Sequence, residues 1–240
     1  MQRVEWFDLD RPETLENRLE EVDLGNGTIR KNLALGINLY ENAIPKEVCN
    51  EIIERLETLL SDKEDPKYKW STSFVNEYQA VSSARSCADF KYGESNKDPE
   101  SEKGKEAQSL YDLVDNAVKV CLGDYESTWL LKMNYFEVFN FVKYEGGEYF
   151  KIHADDGPYS SYTISLVVYL NDDYDGGEIE WNRFGLKVKP SAGSIAIFPS
   201  TFIYEHASHD IKDGTKYAVV IMTAYNDRNF RQRKFGYNEQ

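Results

Sequence analysis

The sequence predicts a mostly β fold with flanking helices (α+β), built on a double-stranded β-helix or jelly-roll core. From about residue 130 the chain is a series of short β-branched and aromatic runs separated by turn signals. Two amphipathic helical periodicities precede those runs and none follows them. Strands gathered after helices suggest a sandwich of sheets with helices packed on one face.

Residues 1–36 are polar and acidic with no clear periodicity. At residue 37, GINLYENAIP reads as a short strand ahead of a helix. Across Lys46–Leu60, apolar Val48, Cys49, Ile52, Ile53, Leu56, Leu59 and Leu60 recur at helical spacing, and Pro45 stands where a first turn needs no N–H donor. A second helix is expected over about Glu106–Leu122, with Leu110, Leu113, Val114, Ala117 and Cys121 on one stripe. The charged segments 61–69 and 93–107 read as solvated loops, the second also as a candidate substrate lid.

The strand runs are LKMNYFEVFNFVKY, EYFKIHAD, YTISLVVYL, GEIEWNR, GLKVKP, GSIAIFPS and TKYAVVIMTAY. Between them lie Glu145-Gly146-Gly147, Asp175-Gly176-Gly177, Pro190, Gly193 and Asp213-Gly214, all turn chemistry. The expected organisation is one domain over 1–240. It comprises an acidic N-terminal segment (1–36), helical and strand support (37–129), a jelly-roll core (130–225) and a polar, locally basic tail (226–240).

Of the 240 residues, 28 are Lys or Arg and 42 Asp or Glu, a net charge of −14. Such a chain repels phosphate backbones, so no nucleic-acid partner is expected. The longest apolar stretch, Tyr217–Tyr225, is too short to span a bilayer, and the N-terminus carries no apolar signal region. No membrane association is expected. Cys49, Cys87 and Cys121 are odd in number and widely spaced, which fits buried thiols in a reducing cytoplasm.

The three histidines all lie in the last third: His153, His206 and His209. His153 and Asp155 are two apart, so on a strand their side chains share a face. Two imidazoles and one carboxylate on one face of a metal form the site of non-haem Fe(II) oxygenases. Three protein ligands leave room for a keto acid chelate and dioxygen, and the distal carboxylate of 2-oxoglutarate then needs a cation. Lys216 suits that need. If His206 and Lys216 lie on two arms of a hairpin turning at Lys212-Asp213-Gly214, His206 pairs near Val220 and Lys216 lies about 13 Å along the strand. A solvent-facing lysine on the same hairpin is the alternative.

The stretch from Tyr144 to Tyr225 resembles the iron- and 2-oxoglutarate-dependent dioxygenases of the prolyl 4-hydroxylase type. The shared features are YEGGEYFKIHAD (Tyr144–Asp155), VVYLNDDYDGGEIEW (Val167–Trp181), VKPSAGSIAIFP (Val188–Pro199) and HASHDIKDGTKYAVV (His206–Val220). More loosely, LYENAIPKEVCNEII (Leu39–Ile53) is similar to the family's strand-and-helix opening. The resemblance implies Fe(II) held by His153, Asp155 and His206, and Lys216 paired with the distal carboxylate of 2-oxoglutarate. It places Tyr144 and Tyr169 in the co-substrate pocket and admits ascorbate as a further cofactor. It implies hydroxylation of a C–H bond with release of succinate and CO2. Related halogenases lack the carboxylate, so Asp155 favours hydroxylation.

Departures from the family pattern fall on the pocket walls. Tyr162 stands where an arginine often helps to place the substrate, Ile179 where a threonine often follows GGE, and Met222 where a tryptophan often ends the last strand. The expected substrate is a proline in a peptide or protein, as in procollagen-proline 4-dioxygenases. Acidic Asp156, Asp172, Asp173, Asp175, Glu178 and Glu180 and aromatic Tyr159, Tyr162, Tyr174 and Trp181 are expected around the mouth. The competing readings are an oxygenase of a free amino acid or small metabolite, a jelly-roll metalloenzyme of another chemistry, and an inert β-sandwich binding module.

Overall fold

A computed structural model describes residues 21–72, 84–93, 97–157 and 161–225. Strands β1 (Val22–Asp23), β2 (Ile29–Ala34) and β3 (Ile37–Glu41) lead into helix α1 (Lys46–Leu59). Strands β4 (Ser71–Thr72), β5 (Arg85–Ser86) and β6 (Ala88–Tyr92) precede helix α2 (Glu102–Trp129). Then follow β7 (Tyr135–Phe136), β8 (Phe139–Tyr144), β9 (Tyr149–His153), β10 (Ile164–Tyr169), β11 (Asp175–Gly176) and β12 (Ile179–Trp181). The chain ends its described part with β13 (Leu186–Val188), β14 (Ile195–Pro199), β15 (His206–Ser208), β16 (Ile211–Asp213) and β17 (Lys216–Ala224).

The expected jelly-roll class is borne out. A major antiparallel sheet runs β1-β2-β3-β14-β10-β17-β8-β6-β4, with β7 beside β17. A minor sheet runs β13-β12-β15-β9-β5, and β11 pairs with β16. Period-two alternation decides which face each side chain serves. On β10 and β17, Leu166, Val168, Val219 and Ile221 join Cys49, Ile52 and Leu56 of α1 and Leu110, Val114 and Val118 of α2 in one buried cluster. Each fully buried side chain of this kind contributes about 1.5–3 kcal/mol of transfer free energy. The alternate residues, Tyr169, Ala196 and Phe198 among them, face inward and pack with Ile179 and Trp181 of the minor sheet. The space between the two sheets is therefore lined by every second residue of β8, β10, β14 and β17.

Several expectations need correction. The second helix is longer than its apolar stripe, Glu102–Trp129 rather than 106–122. Ser101 caps it by accepting from the Gly104 N–H, so the polar 93–107 segment contributes the helix's first turns. The segment 1–36 is not uniformly irregular: β2 pairs with β3. Buried Arg30 on β2 binds Asp124 and Thr128 of α2, and Tyr40 on β3 donates to the same Asp124 at 2.8 Å. An ion pair across 94 residues leaves no periodic trace in the sequence. Tail residues 226–240 and the start of the N-terminal segment, 1–20, lie outside the described residues.

The hairpin expected between His206 and Lys216 is also absent. The chain does turn at Gly214, but β15 pairs with β9 and β12 in the minor sheet, whereas β17 lies between β8 and β10 in the major one. Val220 pairs with Asn140 and Val167, not with His206. His206 and Lys216 thus approach from opposite sheets. All three cysteines are buried thiols. Among the described residues no helix is long and apolar enough to cross a membrane.

Candidate active site

His153 ends β9 and His206 opens the neighbouring β15, where the two residues are direct cross-strand partners. Their rings lie 4.4 Å apart between centroids. Asp155, two residues beyond His153, turns its carboxylate to both: Oδ1 is 3.4 Å from His153 Nε2 and Oδ2 is 3.8 Å from His206 Nε2. One ligand atom from each of the three residues falls within 4.8 Å of the others. Among the described residues this is the group of His, Cys, Asp and Glu with such geometry.

The imidazoles are oriented by the main chain. His153 Nδ1–H donates to the Lys151 carbonyl at 2.8 Å, and His206 Nδ1–H donates to the Tyr204 carbonyl at 3.2 Å. Each bond selects the tautomer whose Nε2 lone pair faces its partners. Burial holds His206 neutral, with a pKa lowered to about 4 despite the nearby carboxylate. Burial by itself would raise the pKa of Asp155, but His206, His153 and the Ser165 hydroxyl outweigh it and bring the pKa down to about 2. At neutral pH the triad is therefore a carboxylate and at least one neutral imidazole, a donor set suited to a divalent metal such as Fe(II).

Serines that carry no motif hold the carboxylate. Ser165 Oγ donates to Asp155 Oδ2 at 2.6 Å and stands 2.7 Å from Ser200 Oγ. Both serines are buried, on β10 and just after β14.

Lys216 opens β17 opposite Tyr144 of β8. It is buried and donates to the Gly177 carbonyl at 2.7 Å and to Ser208 Oγ at 2.9 Å. The rings of Tyr144, Tyr169 and Tyr174 surround its ammonium at 5.5, 5.3 and 6.0 Å. The structure thus brings Lys216 together with both tyrosines singled out in the sequence. Gly177 shows why the GGE turn belongs to the site. Its φ of +67° is a glycine conformation, and a Cβ would lie 2.5 Å from the Ile211 side chain. Its carbonyl can then point at the lysine. Burial lowers the Lys216 pKa to about 7.

His209 is placed elsewhere. Its Nε2 meets Glu180 Oε2 at 2.5 Å, away from the triad. The expected aromatic mouth is largely interior: Trp181 is fully buried and Tyr174 nearly so. Period two explains it, since Ile179 and Trp181 point inward and Glu180 outward. Asp172 is tied to Lys46 and to the Ala192 N–H. Tyr159 lies outside the described residues. Sequence reasoning missed Ser165, Ser200, Ser208, Phe150 and Arg85. Only Ser208, two residues after His206 and so on the same face of a strand, carried a usable signal.

Fold and site together define a jelly-roll protein with a His-x-Asp…His triad set between two sheets and a buried lysine beside it. Residues 139–223 match the family model described as the 2OG-Fe(II) oxygenase superfamily, so the resemblance read from the sequence is borne out over that stretch. No curated protein matches the sequence.

Solved structures share the fold. A viral collagen prolyl hydroxylase from Paramecium Bursaria Chlorella virus-1 is 16% identical, with a TM-score of 0.56 over 78% of this chain and 95% of its own. A Trichoplax adhaerens prolyl hydroxylase, solved with a hypoxia inducible factor oxygen degradation domain peptide fragment, is 18% identical, with a TM-score of 0.62 over 83% and 87%. A Pseudomonas putida prolyl-4-hydroxylase is 15% identical, with a TM-score of 0.55 over 80% and 94%.

Proposed function

We propose that this protein is a single-domain Fe(II)- and 2-oxoglutarate-dependent dioxygenase that hydroxylates a proline in a peptide or protein. The observation that carries the reading is the convergence of His153, Asp155 and His206 beside a buried lysine, within a stretch matching the 2OG-Fe(II) oxygenase superfamily.

In this reading, His153 Nε2, His206 Nε2 and an Asp155 oxygen hold the metal. Bound Fe(II) with 2-oxoglutarate and dioxygen supplies the oxidising chemistry, and succinate and CO2 leave. The protein's part is placement and exclusion of water. Ser165 occupies Asp155 Oδ2 and so directs the carboxylate's remaining lone pairs toward the imidazoles. The ammonium of Lys216, with Ser208 and the Tyr144 and Tyr169 rings around it, receives the distal carboxylate. Partly exposed Val167 and Val220, facing each other across β10 and β17, offer an apolar wall between the two. A peptide substrate is supported by the shared fold of prolyl hydroxylases, one of them solved with a peptide. The acidic net charge favours a neutral-to-basic segment around the target.

The test is 2-oxoglutarate turnover with Fe(II) and a panel of proline-containing peptides, read as succinate formed and as a mass gain of one oxygen. Turnover coupled only to a free amino acid would move the substrate class. No 2-oxoglutarate consumption with any candidate would remove the oxygenase reading.

Two smaller effects follow. Ser165→Ala should weaken metal affinity about 10-fold, the lower end for a residue that orients a ligand. Titration of the metal-free protein with Mn(II) reads it directly. His209→Ala should keep metal and most turnover, because its partner is Glu180 and not the triad. Loss of iron in that variant would mean that the wrong histidine has been assigned.

A further inference from the structure

Arg85 is unusually placed for a guanidinium. Its side chain is 10% exposed, in a chain with a surplus of 14 acids, yet among the described residues it has no carboxylate at hydrogen-bonding distance. Nε meets the Cys87 thiol at 3.2 Å. Nη2 stands 3.9 Å from Asp89 Oδ2, too far for a hydrogen bond, and among the described residues that oxygen has no hydrogen-bond partner. A buried charge so weakly compensated is costly unless something else pairs with it.

The direction in which Arg85 faces is the second observation. On β5 it is the cross-strand partner of Phe150, and its guanidinium lies over that ring, 5.1 Å from the centroid. The Phe150 ring stacks in turn on His153, with centroids 3.5 Å apart. The guanidinium also meets the hydroxyl of Tyr144, whose ring carries Lys216 at 5.5 Å. Two buried cations thus flank one phenol. One reaches in from the major sheet and the other from the edge of the minor sheet, beside a metal-ligand candidate.

We propose that Arg85 is a second carboxylate-binding residue of this pocket, forming with Lys216 a two-cation site for a 2-oxo dicarboxylate. The inference rests on the oxygenase reading above and adds to it a residue outside the stretch matched by the family model. A guanidinium presents a planar fork that pairs bidentately with a carboxylate, whereas the Lys216 ammonium acts as a point charge. A dianion entering between them would give Arg85 the close counter-ion that Asp89 does not supply.

The experiment is calorimetric titration of the Mn(II)-loaded 240-residue protein with 2-oxoglutarate, for wild type, Arg85→Met, Arg85→Lys and Lys216→Met. Arg85→Met should bind 2-oxoglutarate about 10-fold or more weakly, with Mn(II) affinity as in wild type and a thermal midpoint no lower than that of wild type. Arg85→Lys should recover part of the loss, since it restores charge without the fork. Unchanged 2-oxoglutarate affinity in Arg85→Met, with Lys216→Met weakened, would overturn the role of Arg85 and leave the oxygenase reading standing. A thermal midpoint or Mn(II) affinity that falls along with co-substrate binding would make Arg85 structural and also overturn it. A wild-type protein that binds Mn(II) but not 2-oxoglutarate would remove the oxygenase reading itself.

Discussion

Asp155→Ala and His153→Ala are expected to lose both bound iron and all 2-oxoglutarate turnover while remaining folded. The geometry supports both halves of that statement. Each side chain contributes one of only three donor atoms in the cluster, so removing one leaves a pair. Neither side chain anchors a hydrophobic cluster; those are built from Trp181, Phe198, Leu166 and their neighbours. Asp155→Ala also removes a buried carboxylate that the metal-free fold favours on balance, since His206, His153 and the Ser165 hydroxyl outweigh its desolvation. Its thermal midpoint without metal should therefore fall modestly below that of wild type at neutral pH. Wild type should gain stability from Fe(II) or Mn(II) that either variant lacks, because a ligand stabilises only the state that binds it. Wild-type iron stoichiometry in either variant would overturn the assignment.

The parts of this site legible in the sequence are those with a local signature. HxD two apart on a β run, a later histidine and a lysine ten residues beyond it survive as a pattern because one strand or one turn generates each. The helix at Lys46–Leu59 was legible for the same reason: one face of it is apolar at helical spacing. What escaped is what crosses the barrel. Ser165 and Ser200 come from β10 and the end of β14, and meet at Asp155 only because those two strands pair. Arg85 reaches Phe150 because β5 joins the edge of the minor sheet beside β9, a partner more than 60 residues downstream. The hairpin expectation for His206 and Lys216 failed on the same point. Turn chemistry at Lys212-Asp213-Gly214 specifies a reversal of direction, but not that the chain leaves one sheet for the other while it reverses. Sheet closure made that choice, and with it put the lysine on the sheet opposite the histidines.

Lys216→Met is expected to raise the 2-oxoglutarate requirement by about 10- to 150-fold, the equivalent of one charge-assisted contact of about 1.5–3 kcal/mol. Metal affinity should be little changed, because the lysine's bonds go to Gly177 and Ser208 and not to the triad. The pH dependence sharpens the expectation. Burial lowers the pKa of Lys216 from the ordinary 10.5 to about 7; Glu178 pulls it upward and Lys189 downward, neither enough to reverse the effect. Between those two values the unfolded chain holds a proton on this lysine that the ligand-free fold does not. The stability of the ligand-free protein should therefore rise with pH across that window through this group, since the unfolded state binds more protons there. A carboxylate ligand reverses the balance by favouring the ammonium. 2-Oxoglutarate binding above about pH 7 should accordingly take up a proton, and affinity should fall as pH rises through the window. Calorimetry in two buffers of different ionisation enthalpy would count that proton. Lys216→Met should abolish the uptake and flatten the pH profile of co-substrate affinity. Arginine at the same position should also flatten it, because it stays charged throughout, while restoring only part of the affinity through its differently shaped fork. Proton uptake that persists in the methionine variant would assign the titration to another group and remove Lys216 as the carboxylate's partner.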